Sequence, residues 1–244
     1  MEEILYVVPA SNKADGSGVD LLAPFYEEQS ILDIICHTLQ NTGLGKTMIA
    51  TSCEKTDDAI ADFARSHNLL LYRGEEPTGA SLLAAAIRES KCTYVVRVNP
   101  ASPYLSGVQL RKLIKFDSLR NYDYIGFKVK NRPATETGLP LWAECISVET
   151  IQKVSDCLDN TFHWTRCIYN HPDRFSIAWL RVDESVDGHE DLKLSVDKPG
   201  DFENNAKFYT LIRDNCSEVA VRNIMRYIDA HPECIDKDKN IVCP

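Results

Sequence analysis

The sequence lacks any surplus of positive charge: Lys and Arg number 27 against 36 Asp and Glu, a net charge of -9 over 244 residues. Nucleic acids and anionic membranes are held by excess basic side chains that release counterions, so neither is expected as a general partner. Small anionic substrates need only a local basic pocket and stay open. Long apolar runs are also missing, since no stretch approaches the roughly 20 residues of a membrane span. The opening residues, MEEILYVVPA, carry acids where a signal peptide needs bases, which predicts a cytoplasmic protein without a leader. The nine cysteines contain no C-x-x-C pair, so a zinc framework is not expected and the thiols are predicted to be reduced and mostly buried. Neither a G-x-S-x-G elbow, a Walker lysine loop nor a G-x-G-x-x-G turn occurs.

What is present alternates between two periods. Ile4 to Val8 reads as a buried strand, and Ile31, Ile34, Ile35 and Leu39 recur at helical spacing behind Ser30, a good N-cap. Met48 to Ser52 predicts the next strand, followed by a helix opened by Thr56, Asp57 and Asp58 with Ala59, Ala61, Phe63 and Ala64 as its apolar face. Leu69 to Tyr72, the Ser81 to Ile87 helix and the strand TYVVRV continue the alternation. Further strands are expected in YDYIGFKV, at the start of AECISVETIQKV, in the segment before the acidic DESVDGHED, and at Leu192 to Val196. Helices are expected from Pro199 through Leu211 and from Ser217 to Ile228. Strands alternating with helices imply a mainly parallel sheet covered on both faces, in one domain over residues 1–244. Such sheets bind ligands at the carboxyl ends of their strands, which directs attention to Pro9 to Asp20, Gly74 to Gly79 and Asn99 to Ser106.

Three passages in fixed order, GLPLWAECISVETIQKV, TFHWTRCIYNHPDRFSI and DLKLSVDKPGDFENNAKFYTLI, resemble the cytidylyltransferases of the spore-coat polysaccharide type, relatives of the enzymes that activate sialic acid and ketodeoxyoctonate with CTP. LLAPFYEEQSILDIICHTLQN resembles the same family near the N-terminus, so the likeness spans nearly the whole chain. It implies a three-layer Rossmann-like nucleotidyltransferase fold and a reaction in which a sugar oxygen attacks the α-phosphorus of CTP and expels pyrophosphate. It also implies a homodimer through an irregular segment at about residues 125–142.

That chemistry spreads negative charge over a triphosphate and needs cations and donors placed where the charge develops. The family's basic loop positions fall at Ser11, Gly16 and Asp20, none of them basic. Lys13 is left as the catalytic cation, with Pro9, Ala10, Ser11, Asn12, Gly16 and Gly18 as a neutral nest for phosphate. A solvated turn, its glycines allowing positive φ, is an equal reading of this loop. The resemblance places base and ribose against Gly74, Thr78 and Ser81, and Arg97 at the nucleotide side, although Arg97 at a strand end is expected to pair with a carboxylate. Magnesium would be held by Asp197 in SVDKPGD, because Ala101 in RVNPASP stands where relatives have their other carboxylate; Asn99 and Ser102 are the neutral oxygens nearby. Glu144 and His163 are the expected sugar contacts. Cys145, His171 and DGHED read as core, packing and solvated turn. Two functions stay open: a sugar cytidylyltransferase with an altered site, or an inactive relative that binds nucleotide or sugar in a regulatory or structural role.

Overall fold

The computed structural model describes residues 4–12, 19–75, 79–115, 121–139, 141–154, 163–216 and 218–242. Strand β1 (Ile4–Pro9) lies at the centre of the sheet. Its apolar residues alternate, with Ile4, Tyr6 and Val8 entering a large cluster on one face while Leu5 and Val7 enter a smaller one on the other. A strand buried on both sides must be apolar throughout, which is why this run shows no polar alternation.

After a short hairpin of β2 (Pro24–Tyr26) and β3 (Gln29–Ser30) comes helix α1 (Ile31–Gln40). The Ser30 hydroxyl accepts the Asp33 N–H at 3.1 Å and the Asp33 carboxylate accepts the Ser30 N–H at 2.9 Å, the reciprocal cap that ends the hairpin and starts the helix. Strand β4 (Lys46–Ser52), helix α2 (Asp58–Ser66), strand β5 (Leu70–Gly74), helix α3 (Ala80–Ala86), strand β6 (Tyr94–Arg97) and helix α4 (Gly107–Ile114) follow. The second half contributes β7 (Tyr124–Val129), the two-residue β8 (Arg132–Pro133), β9 (Glu144–Ser147), α5 (Val148–Lys153), α6 (Arg166–Tyr169) and β10 (Ile177–Arg181). Helices α7 (Pro199–Asn215) and α8 (Val221–Ala230) complete the main elements.

The sheet runs β10-β7-β9-β6-β1-β4-β5, with β8 paired to β7. Strands β6, β1, β4 and β5 are mutually parallel, β9 is antiparallel to both β6 and β7, and β10 is parallel to β7. The connections from β1 run outward through β4 to β5 and then return to β6, so the order reverses between β1 and β6. Ligand crevices form at such a reversal, outside the carboxyl ends of the strands. No helix among the described residues is long and apolar enough to cross a membrane.

Four expectations need correction. Ile60, not Ala59, joins Ala61, Phe63 and Ala64 on the buried face of α2, because the helix begins at Asp58 and its register turns Ala59 outward. Residues 125–142 are not irregular throughout: Ile125, Phe127 and Val129 belong to β7, and Leu139, Leu141 and Trp142 are also buried within the chain. Helix α7 runs on to Asn215. Leu192 to Val196 alternates as a strand does, with Leu192, Leu194 and Val196 buried, yet it joins no sheet and makes only an isolated parallel bridge from Lys193 to Asn240.

Ser30→Ala removes the hydroxyl that accepts the Asp33 N–H and caps α1; a loss of about 1 kcal/mol in urea unfolding is expected, with no change in the far-ultraviolet spectrum of the folded protein.

Candidate functional site

Where the antiparallel strand β9 is inserted between β6 and β7, Arg97 ends β6 and Glu144 opens β9, and the strand register sets them opposite each other. Their side chains form an ion pair that is 5% and 1% exposed. A buried pair loses its hydration and regains it only through good geometry and further hydrogen bonds. Glu144 Oε1 accepts both, from the Tyr124 hydroxyl at 2.6 Å and from the Thr165 hydroxyl at 2.9 Å. Burial and the Glu144 charge push the Tyr124 phenol well above its ordinary range, so it stays a donor. The Arg97 guanidinium also lies 5.9 Å from the centre of the buried Trp164 ring. The expected carboxylate partner of Arg97 is thus Glu144, and both are tied to each other as well as facing the ligand space.

Above this pair opens a cavity of about 530 Å³, a size suited to a small molecule. Arg97, Asn99, Glu144 and His163 line it, and so does Asp197. Residues from four separate passages of the sequence therefore meet in one place. One wall is the segment 192–196. Its alternation buries the leucines and valine and leaves Lys193, Ser195 and Asp197 on the cavity side. The Leu194 N–H bonds to the Gly138 carbonyl at 2.7 Å; a β-carbon on Gly138 would stand 2.5 Å from the Leu192 oxygen, so only glycine lets the two segments approach. At its end the Asp201 carboxylate accepts the Asp197 and Lys198 N–H groups at 3.2 and 3.1 Å, holding Asp197 at the start of α7. The Ser195 hydroxyl donates to Asp197 Oδ2 at 2.6 Å.

Beside the cavity, Glu136 accepts from Arg166 Nε at 2.7 Å and from the Tyr169 hydroxyl. Burial would raise its carboxyl, but these two donors hold it below the usual range. His163 lies between this pair and the Arg97–Glu144 pair; burial and then the Arg166 charge lower its pKa, against the opposing pull of Glu136. The imidazole is consequently neutral at pH 7 and can accept a proton or a hydrogen bond.

The other expected positions lie across the reversal point, at the carboxyl ends of the parallel strands. Pro9 ends β1, Ala10 is buried with its N–H on the Ala50 carbonyl at 2.9 Å, and Gly74 ends β5 with its carbonyl on the Cys53 N–H at 3.1 Å. Ser81 stands in the first turn of α3. Ser11 and Asn12 have a partner that local pattern does not reveal. The fully buried Asp57 accepts the Ser11 hydroxyl on both oxygens, at 3.1 and 2.9 Å, the Asn12 N–H at 2.7 Å and the Ser52 hydroxyl at 2.5 Å. Burial raises this carboxyl, and the donors from Ser52, Asn12 and Ser11 more than reverse the effect and lower it. Two donors expected to face phosphate therefore already hold an internal anion. Lys13, Gly16, Gly18 and Thr78 lie outside the described residues.

Asp20 is exposed, accepts the Leu22 N–H at 2.9 Å and does not line the cavity. Ser102 is fully buried and absent from the cavity lining, which removes it as a metal contact, while the Asn99 side-chain oxygen already accepts the Ala101 N–H at 2.9 Å. Among the described residues no group of three or more His, Cys, Asp or Glu could hold a metal ion. One exposed carboxylate, Asp197, fits a divalent ion that takes its other ligands from phosphates and water, the usual habit of magnesium, and does not fit a protein-only cage.

No protein-family model matches the chain. An uncharacterized protein of Methanocaldococcus jannaschii is 23% identical over 220 residues, covering 88% of this chain and 86% of that one. Among solved structures, a cytidylyltransferase from Leptospira borgpetersenii superposes with a TM-score of 0.74 at 12% identity, covering 95% of this chain and 94% of the other. A CMP:2-keto-3-deoxy-manno-octonic acid synthetase complexed with CTP gives 0.56 at 11% identity, with 86% and 99% covered. A manganese complex of a Mycobacterium tuberculosis protein gives 0.60 at 15%, with 84% and 98% covered. These likenesses establish the fold as the Rossmann-like α/β fold of nucleotidyltransferases.

Arg97→Met strands the Glu144 carboxylate in the core, and a loss of about 3–5 kcal/mol in denaturant unfolding is expected. Asp57 has a lowered folded pKa, so its contribution is present above the ordinary aspartate pKa of about 3.9 and disappears as pH falls through the folded value. Asp57→Asn should therefore flatten the acid side of the stability curve, measured by thermal melts between pH 2 and pH 7.

Proposed function

We propose that the chain is a cytidylyltransferase-like protein that joins CTP to a sugar, giving CMP-sugar and pyrophosphate. The observation that carries this reading is the meeting of Arg97, Glu144, His163 and Asp197 around one cavity beside the reversal point of a nucleotidyltransferase fold. The reading divides the site into two halves. Pro9 to Asn12, Gly74 and Ser81 would hold the nucleotide at the ends of β1 and β5, with Lys13 the cation toward the triphosphate. Glu144 and His163 would hold the sugar beside β9.

A sugar hydroxyl oxygen forms a bond to the α-phosphorus of CTP, and the bond from that phosphorus to the bridging oxygen breaks, so that pyrophosphate leaves with the electron pair. The neutral His163 imidazole takes the hydroxyl proton, which its lowered pKa permits at pH 7. Asp197 and, more loosely, Asn99 would hold a divalent ion shared with the phosphates. When bound, such an ion neutralises charge on the phosphate oxygens. Arg97 holds Glu144 in place instead of gripping phosphate, since its guanidinium is already engaged.

A second reading, an inactive relative that binds nucleotide or sugar without turnover, is favoured by Asp57, which occupies the Ser11 and Asn12 donors. Calorimetric titration with CTP and magnesium, run beside a pyrophosphate-release assay with acidic sugars, separates the two. Saturable CTP binding with release of pyrophosphate, reduced roughly 10²- to 10³-fold in Asp197→Asn, is expected. Binding without release would leave the inactive relative, and no binding at millimolar CTP would overturn the enzyme reading and leave a sugar-binding or structural role.

A further inference from the structure

His163 stands on the cavity wall between two couples of opposite charge. One is Arg97 with Glu144, buried within the sheet. The other is Glu136 with Arg166, 2.7 Å apart, with side chains 21% and 47% exposed. The Arg166 N–H bonds to the His163 carbonyl at 2.9 Å, closing the turn that leads into α6 and setting His163, Arg166 and Tyr169 at three-residue intervals, the spacing of neighbours on a helical turn. Glu136 comes from 30 residues earlier, at the end of the turn Ala134–Glu136 after β8, where the Thr137 hydroxyl donates to the Ala134 carbonyl at 2.6 Å. Its Oε1 accepts from both Arg166 Nε and the Tyr169 hydroxyl, so two donors of α6 fix one carboxylate oxygen. An ion pair this exposed contributes little to folding, which leaves its place beside a histidine to be explained.

We propose that Glu136 and Arg166 are positioning residues for His163, two opposite charges fixed beside the imidazole that together hold it ready to accept the proton of the substrate hydroxyl. This rests on the cytidylyltransferase reading for the hydroxyl. The two charges pull the imidazole in opposite directions, Arg166 against a proton and Glu136 toward one, and Arg97 and Glu144 oppose each other in the same sense. The remaining charged lining is balanced as well: Lys193 and Lys239 stand against Asp197 and Asp238, while Glu190 and Asp191 are each paired to a cation. Burial therefore decides the outcome, and the histidine is neutral, as a proton acceptor must be. Glu136 without Arg166 would favour imidazolium before the substrate arrives. Arg166 without Glu136 would weaken the base. Tyr169 keeps the couple in register, because burial and then Glu136 raise the pKa of its phenol and it stays a donor to the same oxygen.

The test is titration of the His163 ring in the full chain by proton resonance, its signal assigned by its loss in His163→Gln. Glu136→Gln and Arg166→Gln each remove one charge and leave an amide that can meet the remaining partner. The midpoint is expected to move down in Glu136→Gln, up in Arg166→Gln, and back toward the parent value in the double variant, where both charges are gone. A pair that serves the fold alone would lower the melting temperature without that pattern, so an unmoved midpoint, or shifts of one sign in both single variants, would overturn the proposal. The acid limb of pyrophosphate release from CTP should follow each midpoint in the same direction. A limb that stays in place while the midpoints move would overturn the couple's part in the reaction. Absence of release by the parent at every pH would instead remove the transferase reading, and the titration would still decide whether the couple sets the charge state of His163.

Discussion

The ion pair of Arg97 and Glu144 is the constraint on which the site depends. It joins the last residue of β6 to the first of β9, the antiparallel strand inserted between β6 and β7. Burying two charges there is costly, and the cost is met by the Tyr124 and Thr165 hydroxyls. Those donors come from β7 and from the turn before α6, so satisfying one carboxylate fixes three parts of the chain. The result is a rigid polar floor under a cavity, with a neutral histidine at its side and Asp197 on its opposite wall.

A comparable arrangement orders the other half of the reversal point. Asp57 gathers donors from the loop after β1 and from the end of β4. Because the carboxylate carries a full charge and accepts from several directions, it fixes the start of the loop before any ligand arrives. This explains how a loop without basic side chains at Ser11 and Asp20 can keep a defined path where it leaves the sheet. Under the proposed function, a nucleotide would have to be gripped by other groups of the loop or displace hydrogen bonds that are already good. The two buried carboxylates thus have opposite consequences, one building a cavity and the other occupying donors.

Much of the fold is legible locally. The apolar run of β1, the Ser30 cap and the alternation of strands with helices each depend on neighbours within a few residues. The alternation at Leu192 to Val196 was legible too, and in the fold it leaves Lys193, Ser195 and Asp197 on the cavity side. Its pairing was not, because Lys193 meets Asn240 through a turn that no local pattern announces. Asp57 reads as a helix-start acid and nothing more, since its partners come from a different strand. Glu144, His163 and Asp197, which line the cavity, were singled out through likeness of motif, whereas Trp142, Lys193 and Lys239 carry no motif. Only the fold, which sets the Gly138 carbonyl against Leu194, puts them around one space.

The most direct test is a crystal structure with a non-hydrolysable CTP analogue and manganese. The expected result is nucleotide density along Pro9 to Asn12 and Gly74, with the anomalous metal peak within coordination distance of Asp197 and the cavity above Arg97 and Glu144 open for the sugar. Nucleotide bound elsewhere, or a metal peak remote from Asp197, would contradict the division of the site into nucleotide and sugar halves.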